Sequence, residues 1–303
     1  MSEFSKLLSD ENIEYRADIL LSEISSFKIG GSADWVVYPD TEEKLILAIR
    51  IAKKLGIRFS VVGRTSNVLF SDIGFAGMIL MTERLSGISF DEHSSGVEIE
   101  CGAGVGLPVI SKLAAEQSLG GLEFACGIPA SVGGAVYMNA GAHGGQISDI
   151  LISSRAYDTK NDRIVELTVA EHDFSYRHSR YMTDDSLVCL SATFSLAVGE
   201  KCEIVEKMKQ YSAHRRATQP LALASAGSYF KRPEGYIAAK LIDECGLKGY
   251  RVGGACVSEM HAGFIVNLGG ATADDIFKLE KYVKETVYSK TGVTLEREVR
   301  FVE

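Results

Sequence analysis

The chain has 303 residues and a mass of 32.8 kDa, a length that suits two or three domains rather than one. Hydrophobic residues make up 46% and charged residues 24%, a mixture that predicts a buried core and excludes disorder as the main state. The formal net charge of −8 argues against nucleic acid or an anionic membrane as the main partner. Local donors must therefore hold any anionic ligand.

The first third of the chain alternates between predicted strands and helices. Strand-like segments cover residues 34–38, 58–62 and 77–81. Between the first two, Thr41 stands at the N-cap of a helix whose apolar residues recur at helical spacing, and Gly56 can end that helix. This alternation predicts an α/β arrangement at the start of the chain.

The remaining elements are predicted from spacing and from capping residues. A helix at 107–117, strands at 164–169 and 187–194, and a linker at 198–201 before an amphipathic helix follow in order. A further helix starts at Thr272, with Asp275 as its capping-box partner and an apolar side formed by Ile276, Leu279, Val283 and Val287. Residues 293–302 alternate in polarity, which predicts a strand.

Cysteine and histidine patterns give no indication of a metal site. The six cysteines are scattered without a CxxC pair, which favours reduced, mostly buried thiols in a cytoplasmic protein over zinc or disulfides. The histidines lack metal-ligand spacing. The first residues do not resemble a signal peptide, and the longest apolar run, 73–81, is far short of the ~20 residues of a membrane span.

Two glycine-containing loops are candidates for an anion site. Residues 127–135 read GIPASVGGA, where backbone N–H groups can approach an anion without Cβ obstruction and Ser131 adds a hydroxyl. Residues 63–67, GRTSN, directly follow a strand. Neither loop has a Walker or Rossmann pattern, and tight packing explains the glycines equally well. Together the two loops suit a dinucleotide whose pyrophosphate lies between two lobes.

Successive segments of the chain carry distinctive motifs: SSFKIGGSAD at 25–34, the loop at 63–67, 122–141, YRHS at 176–179, SAGSYFK at 225–231, GLKG at 246–249 and LEREV at 295–299. In these motifs the chain resembles the UDP-N-acetylenolpyruvoylglucosamine reductases, flavoenzymes of bacterial cell-wall synthesis. Matching segments occur in order over nearly the whole chain from about Ser25, which makes chance agreement improbable. The interval between Arg177 and Ser228 is short, as in the subgroup that lacks an extra loop over the substrate.

The resemblance implies an α+β fold. It consists of a two-lobed FAD-binding domain of the vanillyl-alcohol-oxidase / p-cresol-methylhydroxylase type and a smaller α/β substrate-binding domain. We expect the FAD-binding domain at 25–196, with lobes at about 25–82 and 83–196, and the substrate-binding domain at 203–292. A C-terminal strand at 293–303 would carry Glu298.

The resemblance also implies the reaction. NADPH reduces non-covalently bound FAD, which then passes hydride to C3 of the enolpyruvyl group of UDP-N-acetylglucosamine enolpyruvate, and protonation at C2 gives UDP-N-acetylmuramate. The implied partners are these small molecules alone, without nucleic acid or membrane, and the protein is expected to be a monomer or a weak oligomer in the bacterial cytoplasm.

Three catalytic residues are carried over from the family by position. Ser228 matches the proton donor, and Arg177 and Glu298 match the other two catalytic residues. A guanidinium suits the charge that hydride addition pushes onto the substrate carboxylate, and the carbon then needs a placed donor. Without the family match, Arg177 reads as a surface arginine, Ser228 as a turn residue and Glu298 as an exposed carboxylate.

Binding residues follow from the same match. The expected substrate contacts are Tyr176, Lys231, Arg232 and Tyr236, although the two cations could equally be solvated charges. The expected FAD contacts are Gly63, Arg64, Thr65, Ser66, Asn67, Gly127, Ile128, Pro129, Ser131, Val132, Gly133, Gly134, Asn139 and Gly141.

Four positions depart from the family pattern. Thr65 replaces a glycine, which would move the backbone away from the pyrophosphate or into a different turn. Either the loop keeps the family path with a Cβ in the turn, or the Thr65 hydroxyl donates to a phosphate, and we favour the hydroxyl slightly. His143 replaces a tyrosine, Cys256 a longer polar residue and Met260 a frequent lysine. These departures affect details of FAD and nucleotide contact and leave the reaction class unchanged.

Two other functions remain open on the sequence alone. One is an FAD oxidoreductase of the same fold with another substrate, because fold does not determine chemistry. The other is a non-catalytic nucleotide-binding relative. The presence of Arg177, Ser228 and Glu298 together favours the reductase, since a decayed copy has no reason to keep three separated polar groups.

Overall fold

The computed structural model describes residues 2–93 and 96–303 and confirms an α+β chain. Its α-helices are α1 (Glu3–Asp10), α2 (Leu21–Ile24), α3 (Glu42–Lys54), α4 (Leu107–Glu116), α5 (Val132–Tyr137), α6 (Arg180–Thr183), α7 (Lys201–Thr218), α8 (Ala238–Glu244) and α9 (Ala273–Thr291).

The strands are mostly short, and many of them pair antiparallel. They are β1 (Glu14–Leu20), β2 (Ser32–Tyr38), β3 (Phe59–Val62), β4 (Val68–Phe70), β5 (Phe75–Met81), β6 (Ile88–His93), β7 (Gly96–Gly102), β8 (Leu119–Gly120), β9 (Gly141–Ala142), β10 (Gly145–Gln146), β11 (Leu151–Asp158), β12 (Arg163–Thr168), β13 (Leu187–Val198), β14 (Ala224–Ser228), β15 (Arg251–Val252), β16 (Ala255–Val257), β17 (Phe264–Asn267) and β18 (Arg300–Val302).

The chain forms two compact units that interleave along the sequence. The first unit comprises Met1–Arg16, Val36–Arg64 and Met78–Arg215. The second unit comprises Ala17–Trp35, Thr65–Gly77 and Arg216–Glu303. The domain limits expected from the sequence stay predictions.

The first unit is built on an antiparallel sheet with the strand order β12-β11-β13-β7-β6, to which β8 adds through β13. Helices α4 and α5 contribute their apolar residues to one core with the inner faces of these strands. In the same unit β3 runs parallel to β5, with Phe59 opposite Met78 and Val62 opposite Met81. The loop predicted to hold an anion starts where β3 ends.

The second unit contains an antiparallel sheet with the strand order β14-β17-β16-β15, and helices α8 and α9 share its core. A second, parallel pair joins β18 to β4, with Arg300 opposite Val68. This pair brings the C-terminal residues beside the segment that follows residues 65–67. The second unit therefore joins segments that are far apart in the sequence, such as β4 and β18, through direct hydrogen bonds.

Capping and periodicity predictions are confirmed. The Thr41 side chain accepts from the Lys44 N–H at the start of α3, and Gly56 follows that helix with φ 68°. Thr272 and Asp275 form the predicted capping box of α9. The four residues predicted for the apolar side of α9 are fully buried: Ile276, Leu279, Val283 and Val287.

Two predictions about elements are wrong. Helix α7 begins where expected but is not amphipathic: Ile204 is its one buried residue in the part of the chain that the structure describes. The tail at 293–302 is not one strand, since regular pairing covers Arg300–Val302 and an isolated bridge joins Arg297 to Phe230. The predicted alternation nevertheless holds at Leu295 and Val299, which are buried because they pack in the core of the second unit.

The sequence predicts reduced, mostly buried thiols and contains no apolar run as long as a membrane span. All six cysteines are free, and three of them, Cys101, Cys245 and Cys256, are buried. Over residues 2–93 and 96–303, the length and polarity of the helices rule each of them out as a membrane span.

Candidate functional site

The first half of the loop at 63–67 belongs to the first unit and is shaped by two close approaches. A Cβ atom on Gly63 would overlap the hydroxyl oxygen of Ser131, and a Cβ on Gly106 would lie 3.0 Å from Cζ of Arg64. Gly63 therefore has a packing reason to be glycine. The loop end of β3 and the start of α5 lie side by side, so the structure brings these two predicted anion-binding segments together.

The glycine-rich segment begins α5 and is partly a packing device. Ser131 is the N-cap, 1% exposed, and its hydroxyl accepts from the Gly134 N–H at 3.4 Å. The Val132 and Gly133 N–H groups donate to the carbonyls of Val105 and Ala103, at 2.8 and 2.9 Å. A Cβ on Gly133 would lie 2.9 Å from the Ala103 Cβ. The tight-packing explanation for these glycines thus holds at positions 63 and 133.

A cation that the sequence analysis missed lies against the same segment. The side chain of Arg215, on α7, packs over Gly127: a Cβ atom added to Gly127 would lie 3.0 Å from the Arg215 Cδ. Burial lowers the pKa of Arg215, so its charge sits in a partly desolvated place. The signal in the sequence was weak, since Arg215 lies in a polar helix with another arginine directly after it. A guanidinium beside the glycine-rich segment can neutralise an anion.

His143, one of the four departures from the family pattern, packs against α7, the helix that carries Arg215. Its ring stacks on Tyr211 of α7, with centroids 4.0 Å apart and planes within 3°. His214 meets His143 edge-on at 5.9 Å. Burial, together with nearby His214 and Arg215, lowers the pKa of His143 and favours its neutral form near pH 7. An imidazole can therefore fill the place of an aromatic ring here.

Arg177 is held by backbone carbonyls of the Asn139–Gly141 segment. Its Nη2 donates to the Gly141 oxygen at 2.9 Å and its Nη1 to the Asn139 oxygen at 3.4 Å. The guanidinium lies 4.9 Å from the centre of the Tyr176 ring, whose residue is 47% exposed. Arg177 has φ 55°, a conformation uncommon for a non-glycine residue. These contacts orient a cation that is not a freely solvated surface arginine.

The side chain of Asn139 supports the segment before Arg177. It is 1% exposed, donates from Nδ2 to the Ser175 carbonyl at 3.1 Å, and accepts from the Ser148 N–H at 3.0 Å. Its amide is therefore committed to supporting the turn that leads into Arg177. Contact of Asn139 with a cofactor stays a prediction, since its backbone N–H already donates to the Val136 carbonyl and its carbonyl accepts from Arg177.

In the second unit, Thr65 uses its hydroxyl within the protein. The Thr65 Oγ1 accepts from the Ser26 N–H at 3.0 Å and donates to the Ile24 carbonyl at 3.1 Å, and the residue is 3% exposed. The favoured expectation, a hydroxyl donated to phosphate, therefore finds its donor already occupied. The φ of Thr65 is 53°, so the backbone keeps the left-handed turn that glycine would adopt.

The two residues after Thr65 present backbone donors. The hydrogen bonds among the described residues give the N–H groups of Ser66 and Asn67 no acceptor, whereas the next N–H, of Val68, bonds to the Thr65 carbonyl at 3.3 Å. Successive N–H groups beside a left-handed residue form an anion-binding concavity. Contact of this loop with the phosphate of a cofactor stays a prediction.

Ser228 is an exposed residue at the end of a bulged strand. The pairing of β14 with β17 is shifted between Ser225 and Ser228, and Gly227 in the bulge has φ 77°. Bulges of this kind re-aim a side chain away from the regular alternation. The following residue, Tyr229, is 1% exposed and anchors the strand end by donating its N–H to the Gly263 carbonyl at 2.8 Å.

Glu298 lies beside the same strand end. Its N–H donates to the Tyr229 carbonyl at 2.9 Å, and its carbonyl accepts from Nδ2 of Asn67 at 3.2 Å. Within the second unit, Glu298 therefore contacts both Tyr229, the residue after Ser228, and the 65–67 loop. Sequence analysis assigned Asn67 to the cofactor only, and nothing in its spacing pointed to Glu298.

The expected substrate contacts of the second unit lie on its surface. Lys231 donates its backbone N–H to the Glu296 carbonyl at 2.8 Å, and its Nζ lies 3.5 Å from the Glu296 carboxylate. Arg232 is exposed and Tyr236 is 50% exposed. Cys256 is buried, so the position where the family has a longer polar side chain faces the core, and Met260 is 47% exposed.

Comparison with known protein families matches both parts of the chain. Residues 33–168 match the family described as FAD binding domain. Residues 219–302 match the family described as UDP-N-acetylenolpyruvoylglucosamine reductase, C-terminal domain.

Relatives match over the full length. A UDP-N-acetylenolpyruvoylglucosamine reductase of Caldicellulosiruptor bescii is 45% identical, with 99% of this chain and 94% of the relative covered. One from Streptococcus pneumoniae (strain 70585) is 42% identical, with 96% and 95% covered. The crystal structure of the UDP-N-acetylenolpyruvylglucosamine reductase of Thermus caldophilus aligns with a TM-score of 0.79 and 32% identity, over 96% and 99% of the two chains.

A more distant neighbour supports the fold alone. A berberine bridge enzyme variant aligns with 66% of this chain and 44% of its own at a TM-score of 0.50 and 14% identity. With the reductase structure, this likeness confirms the expected fold of the vanillyl-alcohol-oxidase type. On the full-length identity to curated relatives, the chain belongs to the UDP-N-acetylenolpyruvoylglucosamine reductase family.

Proposed function

We propose that the chain is an FAD-dependent, NADPH-consuming reductase of the enolpyruvyl group of UDP-N-acetylglucosamine enolpyruvate. Its product would be UDP-N-acetylmuramate, a peptidoglycan precursor. One observation carries the proposal on the structural side: the N–H of Glu298 bonds to the residue after Ser228, so two catalytic residues of the family are neighbours in the second unit.

The residues present fit FAD. The unbonded N–H groups of Ser66 and Asn67 suit a phosphate, and Arg215 places a cation against Gly127. When bound, FAD would supply the hydride chemistry between NADPH and C3 of the substrate. The segments 63–67 and 127–134, with Asn139 and Gly141, would hold it without a covalent bond.

The protein groups supply charge and protons. Arg177, oriented by the Gly141 and Asn139 carbonyls, would stabilise the negative charge that develops on the substrate carboxylate. Ser228 would deliver a proton to C2, and its exposure leaves it open to substrate. Glu298 would act at the same carbon, and Asn67 and Tyr229 hold its backbone.

The remaining assignments complete the proposal. Tyr176, Lys231, Arg232 and Tyr236 would contact the substrate, with residues 25–196 forming the FAD-binding domain and 203–292 the substrate-binding domain. NADPH and UDP-sugars are cytoplasmic metabolites, so we place the protein in the cytoplasm, as a monomer or a weak oligomer. Sedimentation at several concentrations tests the oligomeric state.

A two-step absorbance experiment tests the function. Anaerobic NADPH should bleach the purified yellow protein, and UDP-N-acetylglucosamine enolpyruvate should restore the colour, whereas UDP-N-acetylglucosamine should not. Bleaching without recovery would indicate an oxidoreductase for another substrate. A protein that binds FAD but does not bleach would be a non-catalytic relative, and either result would contradict the proposal.

A further inference from the structure

A short backbone pairing sets the relative positions of Ser228 and Glu298. Tyr229 and Lys231 face Glu298 and Glu296 in antiparallel register, with N···O distances of 2.9 Å from Glu298 to Tyr229 and 2.8 Å from Lys231 to Glu296. An isolated bridge joins Phe230 to Arg297 between these bonds. Any shift of this pairing moves both catalytic candidates.

One carboxylate from another element binds both sides of the pairing. Glu280, on α9, accepts from the Tyr229 hydroxyl at 2.7 Å through Oε2, and Arg297 Nη1 lies 3.6 Å from the same oxygen. Tyr229 directly follows Ser228, and Arg297 directly precedes Glu298. A single group thus bonds the neighbour of each catalytic candidate.

Glu280 is a carboxylate buried on the otherwise apolar side of α9. It is 8% exposed, in a helix whose other buried residues are alanine and branched aliphatics. A buried carboxylate is costly unless its oxygens are satisfied, and here Lys284 occupies Oε1 at 2.6 Å while Tyr229 and Arg297 share Oε2. Burial raises the pKa of Tyr229, so its phenol stays a neutral donor.

Phe277 fixes the remaining side of the cluster. The Arg297 guanidinium lies 5.2 Å from the centre of the Phe277 ring, and Phe277 packs edge-to-face on Phe301 of β18 at 4.8 Å. The cluster is open to solvent through a surface cavity lined also by Lys281 and Glu285. The cluster therefore lies next to the pairing and can be reached from the surface.

We infer that Glu280 is a positioning residue, which holds Ser228 and Glu298 in register through Tyr229 and Arg297. This role rests on the proposed function, because it acts only through those two groups. Misplacement of catalytic groups by about 1 Å can lower a rate by about a hundredfold, so a side chain without direct substrate contact can control the rate.

Glu280→Leu tests this role by removing both contacts while keeping similar bulk. We expect reoxidation by UDP-N-acetylglucosamine enolpyruvate to slow by about tenfold to a hundredfold. Bleaching by NADPH should stay within twofold of the wild-type rate. Glu280→Gln keeps an acceptor for the Tyr229 hydroxyl and should recover part of the loss, and the double variant Glu280→Leu/Tyr229→Phe should be no slower than Glu280→Leu alone.

Glu285→Leu is the matched control. Glu285 lines the same cavity on the same helix but pairs with Lys281 at 3.9 Å and should leave both half-reactions unchanged. If Glu280→Leu fails to fold, Tyr229→Phe carries the test with the same expected slowing. Unchanged reoxidation in the folded variant, or equal slowing of both half-reactions, overturns the positioning role alone. A wild-type protein that is never reoxidised by this substrate contradicts the proposed function instead.

Discussion

Gly63 lies so close to Ser131 that a Cβ atom at position 63 would overlap the Ser131 hydroxyl oxygen. The hydroxyl cannot turn away without cost, because it caps α5 by accepting from the Gly134 N–H and is almost fully buried. The two segments predicted to bind the cofactor therefore constrain one another. The glycine at 63 is needed for Ser131 whether or not its backbone also contacts an anion.

Gly63→Ala should lower the free energy of unfolding by about 1–3 kcal/mol, since the added methyl overpacks a buried contact. In the Gly63→Ala background, Ser131→Gly should cost less than in the wild type, because it removes the overlapping atoms. Urea unfolding of the four proteins measures the coupling. Gly87→Ala, where no atom lies within 4 Å of the new Cβ, is the control. Additivity within about 0.5 kcal/mol would contradict the contact.

Thr65→Ala should destabilise the protein by about 1–2 kcal/mol, because Ser26 and Ile24 lose their hydroxyl partner. Thr65→Ser keeps that hydroxyl and should stay near the wild type. Thr65→Gly should be less destabilised than Thr65→Ala, since glycine adopts the left-handed turn without strain. Urea unfolding and flavin titration of the apoprotein measure these effects. If Thr65→Ala binds FAD more weakly but is as stable as the wild type, the Thr65 hydroxyl contacts a phosphate after all.

The FAD should be released by acid. Precipitation of the yellow protein with acid should leave the colour in the supernatant, because the fit at 63–67 and 127–134 relies on hydrogen bonds and charge. A yellow pellet would show a covalent link, and a colourless protein that takes up no FAD would contradict the cofactor proposal itself.

Ser228→Ala should separate the two half-reactions. NADPH bleaching should be nearly intact, while reoxidation should slow by about 10² to 10⁴, the usual contribution of a placed general acid. Arg177→Ala should slow reoxidation as well and also weaken substrate binding, because it removes charge stabilisation. Rapid-mixing absorbance traces distinguish the two. Reoxidation of Ser228→Ala within about tenfold of the wild type would move the proton donor elsewhere, with Glu298 next in line.

His172 should make stability depend on pH. It is 0% exposed, its Nε2 lies 3.0 Å from the Ser154 hydroxyl, and burial, aided by Arg180, lowers its pKa to about 4. The unfolded chain binds a proton near its ordinary pKa of about 6.5, so the unfolded state gains protons first as pH falls. The contribution of neutral His172 to the free energy of unfolding is therefore fully present above about pH 6.5. As the pH falls toward 4, the free energy of unfolding decreases by about 3 kcal/mol.

His172→Phe should flatten this slope, since phenylalanine can keep the stacking of ring 172 on Phe174 at 4.6 Å without a titrating group. Urea unfolding at pH 7 and pH 5 gives the difference for each protein. Phe174→Leu disturbs the same ring contact without removing a titrating group, so it serves as the control and should keep the wild-type slope. An unchanged slope in His172→Phe would show that other groups carry the pH dependence.

Local patterns were sufficient for much of this molecule. The N-cap at Thr41, the capping box at Thr272 and the buried face of α9 follow from residue types at fixed spacing, because a helix end and a helix face are decided within a few residues. The motifs at 127–141 and 225–231, together with family resemblance, pointed to the correct fold and family. The α7 prediction was wrong because a polar helix can still be held by one buried residue, Ile204, and by packing of Arg215 on Gly127.

Only the tertiary structure decided which polar groups share partners. Thr65 bonds Ile24 and Ser26, Asn67 bonds Glu298, and Glu280 bonds Tyr229 and Arg297, although these partners are far apart in the sequence. A hydroxyl or carboxylate has no intrinsic preference between an internal partner and a ligand. Its partner is set by which chain segments the core brings together, and that depends on contacts between distant residues that no local pattern encodes.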